Sequence, residues 1–305
     1  MSPSSYVTPY TPLVSDAEEA GTSLKSNEVV KIQLGAQIDG FGTIICDSII
    51  VPSSESANGT PPNRQADLLQ ATYWANELLL RLMIPPGLLS SGTDEEKKKA
   101  TSEKGPSQTK ITQLLEKVVK SFHCNIVEST TCWLFDRNEI EGKKKIILAP
   151  GEGVKGEGAA DVGEVWGVEV GVSLGTGKLK TLEKRPTLHR RTTTTYQLKR
   201  PSSRATLSEI VNEFKTFPFS LRQLKDERAA KVGVVECVRY GVLRQYEVVG
   251  DKDNEPVARL FSTVGKSSKF LTWSRRQWAV FPRSFAICLN NSGILRPQLF
   301  VLAQT

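Results

Sequence analysis

The chain has 305 residues, of which 39% are hydrophobic, 7% aromatic and 24% charged, a balance that excludes disorder throughout. Five widely spaced cysteines, Cys46, Cys124, Cys132, Cys237 and Cys288, with no C-x-x-C pair, exclude a disulfide framework and a cysteine-rich zinc module; the thiols are expected reduced and mostly buried. Lys plus Arg is 40 against 33 Asp plus Glu, a net +7, and residues 176–245 alone hold sixteen cations against six acids, a local excess of +10.

Such segregation is the electrostatic footprint of a surface that meets phosphate. A solvated, lysine-rich helical region accounts for a charge excess equally well. The start, Met1-Ser-Pro-Ser-Ser-Tyr6, has neither the basic residues nor the apolar run of a secretory signal, and nowhere do about 18 consecutive apolar residues occur. The expectation is a cytoplasmic or nuclear protein without a membrane partner.

In chain order, residues 29–51 read as β-strands broken at Gly35 and at Asp39-Gly40, the latter a hairpin signal. Leu68, Ala71, Ala75, Leu78, Leu79 and Leu82 have helical spacing within residues 64–83, and Ile84-Pro85-Pro86-Gly87 stops that helix. Residues 88–109 are polar, centred on Glu95-Glu-Lys-Lys-Lys99, and read as a solvated, mobile insertion. A second helix places Ile111, Leu114, Leu115, Val118 and Phe122 on one face. Short apolar stretches follow at residues 124–127 and 146–148, then a Gly/Glu/Lys-rich link over residues 150–163.

Residues 164–173 read as a strand with Val165, Gly167, Glu169, Gly171 and Ser173 on one face and Trp166, Val168, Val170 and Val172 on the other, so one side faces something polar. The basic stretch runs from Lys178 to Arg204, before a helix that carries Leu207, Ile210, Val211, Phe214 and Phe217, with Thr206 and Glu209 at capping-box spacing. A further helix is expected near residues 227–243, and a closing hairpin joins residues 246–249 to 257–264. Helices and strands in alternation make the class α/β or α+β.

Two phosphate-loop patterns fail on context. Gly151-Glu-Gly153-Val-Lys-Gly156 fits G-x-G-x-x-G, yet it sits in the link and precedes a strand instead of a helix. Gly175-Thr-Gly177-Lys178 lacks the upstream glycine, and Leu179 stands where a hydroxyl would hold magnesium. With only His123 and His189, a histidine metal cluster or a Ser-His-Asp constellation has little material.

Several segments together resemble the proliferation-associated and curved DNA-binding protein family, non-catalytic relatives of type 2 methionine aminopeptidases. They are Val29-Val-Lys-Ile-Gln-Leu-Gly-Ala-Gln-Ile-Asp-Gly-Phe41, Arg64-Gln-Ala-Asp67, Glu164-Val-Trp-Gly-Val-Glu169, Pro218-Phe-Ser-Leu-Arg222 and, most specific, Asp226-Glu-Arg-Ala-Ala-Lys-Val-Gly-Val-Val-Glu-Cys237. The resemblance covers about residues 8–264 in order. It implies an α+β pita-bread fold, a curved, mostly antiparallel sheet covered by helices. The resemblance further implies that the amino-terminal cover of that family is missing, and the expectation is a partial pita-bread domain over residues 1–264, with insertions at 88–109 and 178–225 (basic and helical), followed by a divergent carboxy-terminal segment, 265–305.

The resemblance also permits an audit of the peptidase site, which needs several carboxylates and a histidine around two metal ions. Gln33 and Ile44 stand where aspartates belong, residues 128–134 offer Cys132 and Trp133 in place of a histidine, Phe261 replaces a glutamate, and Pro9 falls at the catalytic histidine. Glu169 alone matches a ligand. The resemblance therefore implies a pseudoenzyme, with no catalytic residue, metal or cofactor, bound to structured RNA and the large ribosomal subunit, with curved DNA as a related target, in cytoplasm, nucleus and nucleolus. The residues expected to contact phosphate are Lys178, Lys180, Lys184, Arg185, Arg190, Arg191, Lys199, Arg200 and Arg204. Two alternatives stand beside this reading: a residual metallopeptidase built on Glu169, and a truncated gene product without independent function, suggested by both ends. The segment 270–285, with Trp273, Trp278 and Phe281 interleaved with arginine, is either an aberrant coding end or a base-stacking element.

Overall fold

The chain begins with a short strand, β1 (Ser2–Pro3), and one turn of helix, α1 (Ala17–Ala20), before the hairpin of β2 (Val29–Ile38) and β3 (Phe41–Ile50). The structure is a computed structural model that describes residues 2–52, 63–84, 93–102, 105–151, 158–265 and 299–300. The β2–β3 connection is two residues, Asp39 and Gly40, both at positive φ (52° and 86°), the twist a tight hairpin requires. Strand β2 passes through Gly35 without a break, because Gly35 keeps its place in the ladder opposite Ile44; the expected interruption there is absent.

Helix α2 (Asn63–Met83) follows, then α3 (Asp94–Ser102) and α4 (Gln108–Ser121). Helix α3 lies within the segment expected to be a solvated insertion. Its signal was a local capping box, in which the Thr93 amide donates to Glu96 Oε2 at 2.8 Å and the Glu96 amide donates to Thr93 Oγ1 at 3.4 Å. Short strands β4 (Asn125–Ile126), β5 (Thr131–Phe135) and β6 (Lys145–Ile147) lead to the long β7 (Val165–Ser173). The G-x-G-x-x-G pattern lies largely outside the described residues.

Beyond β7 come β8 (Leu179–Thr181), β9 (Leu188–Arg191), α5 (Pro201–Glu213), β10 (Phe219–Ser220), α6 (Glu227–Arg239), β11 (Leu243–Gln245), β12 (Val249–Asp251), β13 (Val257–Gly265) and the two-residue β14 (Leu299–Phe300). The main sheet has nine antiparallel strands in the order β1-β2-β3-β13-β7-β5-β6, with β14 on β2 and β4 on β7. Two small sheets, β10-β9-β11 and β12-β8, complete the described strands. The remainder of the divergent segment, including 270–285, lies outside the described residues.

One face of the main sheet carries the larger core. Trp166, Val168, Val170 and Val172 of β7 are all 0% exposed and pack under Leu68, Ala71, Ala75 and Leu79 of α2 and Ile111, Leu115 and Val119 of α4. Each fully buried aliphatic side chain there contributes about 1.5–3 kcal/mol. A second core belongs to α5, α6 and the β9 sheet, with Ile210, Phe214, Phe219, Val234 and Leu243, and the amino-terminal segment inserts Leu13 into it. Helix α6 starts at Asp226, whose carboxylate accepts from the amides of Arg228 and Ala229. The α5–α6 crossing is tight at Gly233, where a Cβ would stand 2.1 Å from Thr206 Oγ1.

Three sequence expectations change here. The basic segment 178–225 is helical only from Pro201 onward, apart from one short turn at Leu221–Gln223; its first part is extended chain and strands β8 and β9. Helix α5 starts five residues before Thr206, since Pro201 occupies its first turn and Glu236 of α6 accepts from the amides of Lys199 (2.8 Å) and Arg200 (3.1 Å). A cap supplied by another helix is invisible to local spacing. The closing hairpin is absent too: β12 pairs with β8, and β13 with β7 and β3.

Candidate functional site

The face of the main sheet away from α2 and α4 brings Gln33, Ile44, Glu169 and Phe261 together. Gln33 of β2 is directly opposite Cys46 of β3, Cys46 is opposite Phe261 of β13, and Phe261 is opposite Glu169 of β7. Directly opposed residues share a face, so Gln33, Cys46, Phe261 and Glu169 all point away from the α2–α4 layer, as does Ile44 two residues before Cys46. Trp133 joins them opposite Gly167, whereas its neighbour Cys132 is fully buried in the helix-side core, where its Sγ hydrogen-bonds the Glu169 backbone. Gln33, Phe261 and Glu169, which the resemblance singles out, thus stand in one structural row. Its chemistry is different.

The partner of Glu169 is Arg259 of β13, which donates from Nε at 2.8 Å and from Nη2 at 2.5 Å to Glu169 Oε1. Arg259 is only 5% exposed. Burial works against its charge, yet the Glu169 carboxylate outweighs that and holds the guanidinium above its ordinary value. Lys31 of β2 is buried on the same face, and its Nζ donates to the carbonyls of Pro3 (3.1 Å), Ser4 and Val257 (3.1 Å). Burial and then the Arg259 charge push the Lys31 amine down to about 7. Neither cation featured in the sequence reading. A signal for each was present, a charged residue at an even offset from Gln33 or Phe261 within an apolar strand.

The other half of this face is filled with aromatic and aliphatic groups. Phe135, Ile140, Phe217 and Phe261 pack together with Cys46, and Ile44 and Trp133 border them. Two glycines make room: a Cβ on Gly167 would meet Phe135 at 2.4 Å and Phe261 at 2.8 Å, and one on Gly42 would meet Phe217 at 2.6 Å. Pro9 borders a small cleft with Tyr10, Lys31, Gln33, Leu188 and Ser220, so it does stand beside the row. The Gln33 Oε1 atom is buried there without a hydrogen-bond partner. This residue set does not fit a pair of divalent ions, which need several carboxylate oxygens and would here meet a guanidinium, an ammonium and three phenyl rings. Among the described residues no group of three or more His, Cys, Asp or Glu stands together in a way that could hold a metal.

The nine expected phosphate contacts separate into groups. Lys178 is exposed and Lys180 half-buried on the β8–β12 ribbon; Arg185 is exposed beyond it, and Lys184 is tied to Glu19 at 2.5 Å. Lys199, Arg200 and Arg204 are exposed around the first turn of α5, where Arg204 Nη1 donates to the carbonyls of Leu198 (3.0 Å) and Lys199 (2.7 Å). Arg191 is half-buried. The placement of Arg190 on a phosphate-facing surface is corrected: it is 8% exposed and its two terminal nitrogens bond Glu139 and, at 3.2 Å, Glu141. Burial opposes its charge, but Tyr246 and the two carboxylates hold its affinity for the proton above the ordinary value. Glu141 also accepts from Arg244 and from Tyr246 Oη, so this is a structural network that pins β9 and β11 to residues 139–141. Charge counting alone does not separate such a buried cation from an exposed one.

Beside the α5 cations lies an aromatic pair that sequence reasoning missed. Tyr196 stacks on Tyr240 at the end of α6, with centroids 3.9 Å apart and planes 9° from parallel, and the Arg239 guanidinium lies 5.8 Å from the Tyr240 centroid. The tyrosines are far apart in sequence, and the α5–α6 packing together with the β9–β11 pairing, where Thr192 bonds the Gly241 and Val242 carbonyls, joins them.

Helices on one face of a nine-stranded antiparallel sheet, with the row of Gln33, Cys46, Phe261 and Glu169 on the other, define a methionine-aminopeptidase-like, pita-bread protein. A methionine aminopeptidase from Thermotoga maritima shares the fold across 88% of this chain and 69% of its own, with a TM-score of 0.50 and 12% identity. The chain belongs to the family of proliferation-associated and curved DNA-binding proteins, with Arx1 among its relatives. A solved thermophilic Arx1 is 63% identical, covers 88% of this chain and 72% of its own, and superposes with a TM-score of 0.83. The curved DNA-binding protein of Schizosaccharomyces pombe is 33% identical over 273 residues, 88% of this chain and 65% of that protein. ERBB-3 binding protein 1 of Arabidopsis thaliana is 30% identical over 258 residues, 84% of this chain and 58% of that protein. The chain therefore spans about three fifths to two thirds of these curated relatives. No protein-family model matches it. Among the described residues no helix is long and apolar enough to cross a membrane.

Proposed function

We propose that the protein is a non-catalytic member of this family that binds structured RNA of the large ribosomal subunit through phosphate contacts and acts in ribosome biogenesis or growth control, in nucleus and cytoplasm. The observation that carries the reading is the α5–α6 surface, where Lys199, Arg200 and Arg204 stand exposed beside the Tyr196–Tyr240 stack. Cations there neutralise phosphate and release counterions, while an aromatic pair offers a face to an unpaired base. Lys178, Lys180, Arg185 and Arg191 extend the contact, Lys184 joins by exchanging its Glu19 partner, and Arg190 is left out. The non-catalytic part rests on the Arg259–Glu169 ion pair, which supplies an internal counter-charge where a peptidase would need a divalent cation.

Co-sedimentation with purified large subunits across a salt series tests the proposal. The unmodified chain should pellet with a steep loss as salt rises, and Lys199→Glu, Arg200→Glu and Arg204→Glu together should lower affinity by about tenfold or more and flatten the slope by about three phosphate equivalents. Pelleting that ignores both salt and these substitutions would remove this surface. Curved DNA as competitor in the same assay separates the two nucleic acids, since displacement by DNA at equal concentration would make RNA shape the wrong target.

A further inference from the structure

We propose that Ser202 is a phosphorylation site for a basophilic serine/threonine kinase, and that the phosphate turns off the α5 cation surface; the consequence for RNA rests on the function proposed above, whereas the site itself does not. The sequence Lys199-Arg200-Pro201-Ser202-Ser203 places two cations three and two residues before Ser202, and one cation three residues before Ser203. Kinases with acidic substrate grooves select for such a pair, because charge complementarity sets kinase–substrate specificity. Both serines therefore satisfy the pattern in sequence. The structure chooses between them.

Ser203 is 0% exposed, its carbonyl faces the Cys237 thiol, and it sits at the α5–α6 contact. Ser202 is exposed, as are Lys199, Arg200 and Pro201, and neither cation is in a salt bridge among the described residues. The backbone reaches the helix in an extended conformation, with Arg200 at φ −79° and ψ 131°, and Thr193, Thr194, Thr195 and Gln197 upstream are exposed as well. A kinase groove thus meets an extended, cationic approach, held in place by the Glu236 carboxylate, that ends on an accessible hydroxyl in a first helical turn. Two other matches beyond β7 fail in the folded chain: in Lys184-Arg-Pro-Thr187 the hydroxyl residue is only 2% exposed, and in Arg190-Arg-Thr-Thr193 the first arginine is committed to Glu139 and Glu141.

In the transfer, the Ser202 Oγ attacks the γ-phosphorus of magnesium–ATP, its proton goes to the kinase base, the bond to the β-phosphate oxygen breaks, and ADP leaves. The product carries a charge near −2 among Lys199, Arg200 and Arg204, at a helix start where anions are favoured. These cations then pair internally and are withdrawn from external phosphate.

The test incubates the full chain with magnesium–ATP and the catalytic subunit of cAMP-dependent protein kinase, with peptide mapping by mass spectrometry. A synthetic peptide of residues 195–208 serves as control. One phosphate on Ser202, lost in Ser202→Ala and kept in Ser203→Ala, supports the proposal. Labelling of the peptide but not the folded chain, or labelling of the chain at Ser203 or Thr193 instead, overturns it, as does a peptide that takes no phosphate. The labelled and unlabelled chains are then compared for binding to large-subunit RNA, where phosphorylation should lower affinity on the order of tenfold. Equal binding of the two forms overturns the switch. If neither form binds RNA while Ser202 is labelled, the RNA reading fails and the modification site stands.

Discussion

Strand β7 faces two different interiors. On its helix side Val168, Val170 and Val172 pack among apolar neighbours, where dispersion and burial are summed over many contacts, and Trp166 adds one polar contact, its Nε1 donating to Glu164 Oε2 at 2.9 Å. On its other side Glu169 depends on one residue, Arg259, and Gly167 on the absence of a side chain. The first face tolerates change in proportion to volume, whereas the second responds to the identity of individual groups. The second face is polar at a few buried atoms, and those atoms need partners from the chain itself.

The sharpest way to break this contrast is Glu169→Ala, which strands a buried guanidinium. Denaturant unfolding should show a loss of about 3–5 kcal/mol, and the double variant Glu169→Leu with Arg259→Met should recover most of it. A double variant as unstable as the single one would mean that the pair is not the counter-charge proposed. Next in size, Arg190→Glu sets a third carboxylate against Glu139 and Glu141 and should cost about 3 kcal/mol in the same measurement, which a phosphate-facing surface arginine would not. Gly167→Ala forces Phe135 and Phe261 apart and should cost about 2 kcal/mol, against less for Gly171→Ala, whose nearest neighbours stand at 3.2 Å.

A smaller effect concerns Lys31. Its folded-state value of about 7 lies below that of a free lysine, so between those two values the unfolded chain binds more protons and stability rises with pH. Thermal melts of the parent and of Lys31→Met at pH 7 and pH 10 should therefore show the parent gaining relative to the variant, by on the order of 2 kcal/mol. A constant difference would mean that Lys31 stays charged among its three carbonyl acceptors.

Much of the architecture was legible because it depends on local pattern. Period-two alternation over residues 164–173 identified both faces of β7, helical spacing placed α2 and α4, and Asp39-Gly40 fixed the hairpin. Helix α3 was missed although Thr93 and Glu96 carried its cap, because composition outweighed position. The start of α5, the partner of β12 and the fate of Arg190 were not legible, since each is set by a residue far along the chain: Glu236, Thr181 or Glu139.

The sequence by itself determined the family and the segregation of positive charge, both of which are properties of residue identity and order. Tertiary structure alone decided which cations remain available, that Arg259 answers Glu169, that Tyr196 meets Tyr240, and that Ser202 is open where Ser203 is closed. The physical reason is common to all four. Burial and pairing depend on which distant segments share a desolvated space, and the energy of a charge or a hydroxyl depends on that space more than on its neighbours in sequence.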